Sequence, residues 1–279
     1  MPYFCLLDLS MDLVENGSID IHVKRHPWEL VRYEIIKQKV KIMLHGVPAG
    51  IQPVLVDIGC GDAFVVQQLY HEFASYWVKN IPSDGTSNVV AIDINFTPEN
   101  INTLKTVNDQ VRYLQDITEL NIYKECAYIV LLNDVIEHIE DHKGFIQILD
   151  RHFAGVSVFQ LFITVPAYQH LFSNHDIDLG HFRRYKVSQV KEYAHDLKMD
   201  ILESGYFFFS LFLARSIVKV FEPPIDVNRQ GIGVSAWKGG ALATFLFKSV
   251  LYIDYSVGSA LRKLGLDLPG LSTYIVMKR

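Results

Sequence analysis

From Pro53 onward the chain alternates short apolar runs with longer amphipathic stretches. Val54-Leu55-Val56-Asp57-Ile58, Asn88 to Ile94, Val111 to Leu114, Tyr128 to Leu132 and Val158 to Val165 read as strands. Runs that are apolar at odd and even positions alike suit strands buried on both faces of a sheet. Asp62 to Lys79, Thr97-Pro98 to Asn108 and Glu140 to Phe153 read as the intervening helices, the second opened by a Thr cap and a Pro at its first position. A polar loop over 166–186 leads to a helix from Val187 to Lys198, and Ile201 to Phe209 and Thr273 to Met277 supply the last two strands. This alternation predicts an α/β fold with a doubly wound, mostly parallel seven-stranded sheet.

Two additions flank that core. Asn16-Gly17 ahead of the alternating run Ser18 to Lys24 predicts a hairpin, because that dipeptide suits a two-residue turn. Pro27 then opens a helix through about His45. Between the last two strands, residues 210–270 read as an aromatic-rich helical insertion with a turn at Pro223-Pro224. The organisation expected is one domain over 1–279. Residues 1–50 form a hairpin and lid helix, 51–209 and 271–279 the core, and 210–270 the insertion.

Composition narrows the function. The 26 basic and 31 acidic side chains give a net charge of −5, and no basic run exceeds two residues, so a nucleic-acid partner is not expected. Three scattered cysteines at 5, 60 and 126 make neither a disulfide framework nor a four-ligand zinc site, and a cytoplasmic setting is expected. The opening residues show no basic leader. The apolar stretch from Gly239 to Leu261 is interrupted by Lys248 and Asp254, so it does not read as a clean membrane span.

In a doubly wound sheet, ligands bind beyond the carboxyl ends of the strands. The first strand ends in Asp57-Ile58-Gly59-Cys60-Gly61-Asp62-Ala63, the second at Asp93, the third at Asp116 and the fourth at Asn133-Asp134. Glycines allow close approach to the backbone, and a carboxylate at the second strand end can accept both hydroxyls of a ribose. A dinucleotide turn wants a third glycine where Phe64 stands. Asp57 also favours a cationic ligand over a pyrophosphate.

The set VDIGCGDA, VVAIDIN, VRYLQDI and LLNDVIEHIED, in that order over about Pro53 to Val165, resembles the class I S-adenosylmethionine-dependent methyltransferases. The resemblance implies S-adenosylmethionine as cofactor. Asp57, Gly59 and Gly61 would hold its methionine part, Asp93 with Ile94 the ribose, and Asp116 with Ile117 the adenine. Asn133 would line the site beside the sulfonium. One departure is the long stretch between the first two motifs, with the Ser83 to Ser87 loop, expected on the far side of the sheet. The stretches Arg25 to Arg32 and Val165 to Tyr185 also look like a subgroup of these enzymes.

The expected reaction is in-line methyl transfer to an oxygen or nitrogen of a small-molecule acceptor. Catalysis would come mainly from near-attack positioning. His175 and His181, with Asp176 as orienter, are the candidates for removing a proton. Arg183 and Arg184 either fix this loop by salt bridges or bind an acidic acceptor. Asp134, Glu137 and His138 share a helical face at i, i+3, i+4 and resemble a divalent-metal set of some quinone-type methyltransferases. An acidic helix N-terminus is the preferred reading, and no metal is expected. The insertion is expected to cover an apolar acceptor pocket, ahead of a homodimer contact, with a membrane surface last. Two rivals stand: another adenosyl-nucleoside enzyme on this fold, or a non-catalytic binding or assembly protein.

Overall fold

The computed structural model describes residues 19, 24–77, 87–226 and 237–279. The hairpin over 16–24 lies outside them apart from Ile19 and Lys24, as does the Ser83 to Ser87 loop apart from Ser87. The strands are β1 Pro53–Ile58, β2 Val89–Ile92, β3 Arg112–Leu114, β4 Ala127–Asn133, β5 Val158–Pro166, β6 Asp200–Phe207 and β7 Ser272–Lys278. They form one seven-stranded sheet in the order β3-β2-β1-β4-β5-β7-β6. Pairings from β3 to β5 are parallel, while β7 runs antiparallel to β5 and β6. The strand order reverses between β1 and β4, which opens the crevice for a ligand there.

The helices are α1 Pro27–His45, α2 Phe64–Glu72, α3 Ala74–Trp77, α4 Pro98–Val107, α5 His142–His152, α6 Asn174–Asp178, α7 Val187–Asp196, α8 Phe209–Val220 and α9 Ala241–Lys263. Local chemistry sets their ends. Thr97 caps α4 by accepting from Asn100 N–H at 3.2 Å. Asp141 caps α5 by accepting from Gly144 N–H at 3.0 Å, so this helix begins at His142 and not at Glu140. The helix expected over 62–79 begins at Phe64, because Ala63 is left-handed at φ 61°, and is divided in two by a break at Phe73. Phe208 is left-handed at φ 67°, which ends β6 early and starts α8.

Two apolar layers enclose the sheet. Val54, Val56 and Ile58 pack with α5 and α7, whereas Leu55 packs with α1, α2 and α4. Strand side chains alternate faces, so Asp57 projects on the α1 face with Leu55. Ala91 and Phe162 also belong to that layer, as do Ile129 and Leu131. Asp93, Thr164 and Asn133 follow Ala91, Phe162 and Leu131 by two residues and share the α1 face. The polar ends of four strands therefore share the sheet face on which α1 packs.

Helix α9 packs on α1 through Leu251 and Tyr255. Its opposite side is open: Leu242, Leu246, Val250, Ile253 and Val257 are all exposed. Helix α8 leans on the loop after β5, where Arg215 Nη2 donates to Leu171 O at 3.1 Å and the Phe212 and Tyr168 rings lie 5.2 Å apart. Thus α8 covers the expected acceptor loop, and α9 covers the lid helix. Among the described residues no helix is long and apolar enough to cross a membrane.

Candidate functional site

The turn after β1 carries left-handed backbone at Gly59 (φ 68°), Gly61 (φ 57°) and Ala63. Glycine adopts that conformation at little cost. Five N–H groups of this turn are committed internally. Gly59 N–H and Cys60 N–H donate to Ile92 O at 2.8 and 3.2 Å, and Ala63 N–H to Cys60 O at 3.0 Å. Gly61 N–H donates to Asp93 Oδ2 at 2.8 Å, and Phe64 N–H to Asp62 Oδ1 at 3.2 Å. Asp57, Asp62 and Asp93 flank the turn. It is therefore an acceptor-rich cradle, unlike the donor-rich N-terminus that binds a pyrophosphate.

Asp57 is almost wholly buried. Its carboxyl is pushed up to about 7 by burial, against the opposing help of Asn133 and the Arg32 charge. Asn133 Nδ2 donates to Asp57 Oδ1 at 3.2 Å, while Asn133 Oδ1 is buried and meets no donor. A buried acceptor without a donor costs roughly 1–3 kcal/mol. Asp93 is also buried and its pKa is raised by that burial. Its oxygens accept from Gly61 N–H and from Asn95 N–H at 2.9 Å, so it shapes the turn as well as facing the crevice.

The third strand end is more open. Asp116 Oδ1 accepts from Thr118 N–H and Oγ1–H at 2.7 and 2.8 Å, capping a 3-10 turn over Ile117–Glu119. Ile94 is exposed at 38% and offers an apolar surface beside the crevice, whereas the Ile117 side chain is in the core. What Ile117 can offer a ligand is its backbone.

Helix α1 and the segment just ahead of it close over this crevice through ion pairs. Arg32 pairs with Asp134 and donates to Thr164 Oγ1 at 3.0 Å. Arg25 pairs with Asp62 and lies 4.4 Å from the Phe64 ring centroid. Thr164 was not singled out in the sequence. The parity of β5, read two residues past Phe162, is the signal that finds it.

The loop after β5 assembles only part of the expected catalytic set. Asp176 is fully buried, and Arg184 grips it with two hydrogen bonds of 2.8 and 2.9 Å. Its carboxyl lies well below the usual range, because bonds from His181 and Arg184 and the Arg184 charge together outweigh its burial. His181 Nδ1 bonds Asp176 Oδ1 at 2.9 Å. His175 is exposed on α6 and feels the Asp176 charge without a hydrogen bond to that carboxylate. Both arginines fix the loop: Arg183 donates to Ile139 O and Glu140 O at 2.5 and 2.9 Å.

The helical face expected for Asp134, Glu137 and His138 does not form. Asp134 is left-handed at φ 53° and pairs with Arg32, and Ile136–His138 is a 3-10 turn. Glu137 and His138 come together with His181 instead.

S-adenosylmethionine fits these groups. Its ammonium and sulfonium suit the acceptor-rich turn, Asp57 and the unmet Asn133 Oδ1. Its ribose hydroxyls suit Asp93.

No family model matches the chain, and no curated protein matches it. Similar solved structures include Haemonchus contortus phosphoethanolamine N-methyltransferase 2 in complex with S-adenosyl-L-methionine. It shows 17% identity and a TM-score of 0.47, and the match covers 86% of this chain and 51% of that one. The chain thus spans about half that protein's length. An S-adenosylmethionine-dependent methyltransferase from Archaeoglobus fulgidus shows 14% identity and a TM-score of 0.43, over 88% of this chain and 94% of that one. Another from Mesorhizobium loti shows 9% and 0.46, over 86% and 96%.

Proposed function

We propose that the chain is an S-adenosylmethionine-dependent methyltransferase acting on a small-molecule acceptor. The observation that carries this reading is the turn after β1, whose N–H groups at 59, 60, 61, 63 and 64 are spent internally while three carboxylates surround it. Such a turn favours a cation and disfavours a pyrophosphate. Asp57, Gly59, Gly61 and Asn133 would hold the methionine end, Asp93 and Ile94 the ribose, and Asp116 with the Ile117 backbone the adenine. The acceptor oxygen or nitrogen attacks the methyl carbon on the sulfur axis. The carbon–sulfur bond breaks, and its electron pair returns to sulfur, leaving S-adenosylhomocysteine.

The acceptor's proton needs a base near its reacting atom. His181 is the better supported choice, because Asp176 accepts from Nδ1–H and leaves Nε2 with its lone pair. His175 lacks such an orienter. His181→Ala should lower turnover at least tenfold and leave cofactor affinity nearly unchanged; equal turnover would remove His181 from the chemistry.

Thermal unfolding with added ligands tests the assignment. S-adenosylmethionine should raise the midpoint in proportion to the logarithm of its concentration, and NAD should not. A shift with NAD alone would favour another nucleoside enzyme on this fold.

A further inference from the structure

We propose that α8 and α9 form a docking surface for an anionic lipid membrane, on which the protein lies without crossing it. Leu242, Leu246, Val250, Ile253 and Val257 recur along α9 at helical spacing and so share one face. All five are exposed. On α8, Leu213, Ile217, Val220 and Phe221 recur in the same way and are exposed too, Phe221 at 83%. The two helices pack against each other. Large open apolar surfaces on a folded protein mark interaction sites.

The outer face of α9 cannot roll inward, because its other side is fastened. Tyr255 Oη donates to Gln38 Oε1 on α1 at 3.2 Å. Arg262 Nη1 donates to Tyr274 Oη at 2.7 Å, and its Nη2 to Tyr206 O at 2.6 Å. Together with buried Leu251, these bonds fix the rotation of the helix about its axis. The opposite face of α8 is spent on the loop after β5, so the docking surface lies beside the crevice.

Charge selects the occupant. Helices α8 and α9 carry Arg215, Lys219, Lys248, Arg262 and Lys263 against one acid, Asp254, in a chain of net charge −5. Asp254 is already taken, accepting from Ser210 N–H and Oγ–H at 2.9 and 2.7 Å. Arg215 and Lys219 pair with Glu222, and Arg262 with Asp267. Lys248 and Lys263 have no ion pair among the described residues, and neither has the exposed Lys238 just ahead of α9. The α8 and α9 of a second copy would bring the same lysines and no acid to meet them. Anionic headgroups supply that charge, and acyl chains take the apolar stripe. Among the described residues no helix is long and apolar enough to cross a membrane, so α9 lies in the plane of the interface.

Docking requires no particular chemistry at the β1–β4 crevice, and its test uses lipid alone. The full chain is sedimented with vesicles of phosphatidylcholine, pure or mixed with an equal part of phosphatidylglycerol. Binding to the mixed vesicles should be at least tenfold stronger, and should fall at about 1 M salt, where charges are screened beyond about 3 Å. Lys248→Glu combined with Lys263→Glu should weaken binding to the mixed vesicles at least tenfold, with the unfolding midpoint nearly unchanged. Ile253→Trp should add fluorescence that lipids with brominated acyl chains quench, a readout that needs no loss of binding. Failure of the wild type to bind mixed vesicles, undiminished binding by the lysine variant, or no quenching in Ile253→Trp would overturn the proposal. A dimer that ignores vesicles would overturn it as well and assign the face to a second copy.

Discussion

Asp57 is the residue on which the account turns. Burial holds its carboxyl up to about 7, against about 3.9 in an unfolded chain. The folded state therefore binds a proton more readily, and stability present below about pH 4 is lost as pH rises towards 7. Asp57→Asn removes the buried charge. It should raise the stability of the free protein at pH 8 by on the order of 2–4 kcal/mol, read from urea unfolding, while weakening S-adenosylhomocysteine binding at least tenfold. In the wild type, affinity should rise from pH 5 to 7 and level off above, as Asp57 ionises to meet the ligand's ammonium. A pH-independent affinity would detach Asp57 from the ligand. The positions of Asp57, Asp93 and Asn133 were legible because strand parity and strand ends are written in the sequence. The Glu137–His138–His181 cluster was not. It depends on a left-handed Asp134 and on a loop return across 43 residues of chain, and neither has a local signature.

At the scale of elements, α1 was read from Pro27 through about His45, as it stands, and β1 to β5 within a residue or two. The misses have local causes, at the left-handed residues Ala63 and Phe208 and at the α6 turn inside the polar loop. Helix α9 shows what amphipathic pattern cannot say. Its apolar content was legible, but the sequence did not reveal that only Leu251 and Tyr255 are buried. Leu251→Ala should cost about 2–4 kcal/mol by leaving a cavity against α1. Ile253→Asp should change stability by less than about 1 kcal/mol, since that side chain is already in solvent. Chemical denaturation of both variants decides this, and equal losses would mean that the exposed face is covered in solution.

For the whole molecule, the same face carries a second expectation. Monomeric proteins rarely leave a large contiguous apolar surface open, and the outer side of α9 presents Leu242, Leu246, Val250, Ile253 and Val257. The wild type should self-associate in light scattering or sediment with anionic vesicles. The double variant Leu246→Asp, Ile253→Asp should do neither while retaining cofactor binding. A wild type that stays monomeric and ignores vesicles would contradict this.

The central claim, an adenosyl sulfonium cofactor at the β1–β4 crevice, is tested most directly by titration calorimetry with S-adenosylhomocysteine on the wild type and Asp93→Asn. Asparagine keeps an oxygen for Gly61 N–H but loses the one that accepts from Asn95 N–H, together with the carboxylate that a ribose would use. The wild type should bind one equivalent, and Asp93→Asn, assayed below its lowered unfolding midpoint, should lose about 1.5–3 kcal/mol of that affinity. No heat of binding in the wild type, or undiminished affinity in Asp93→Asn, would contradict the account.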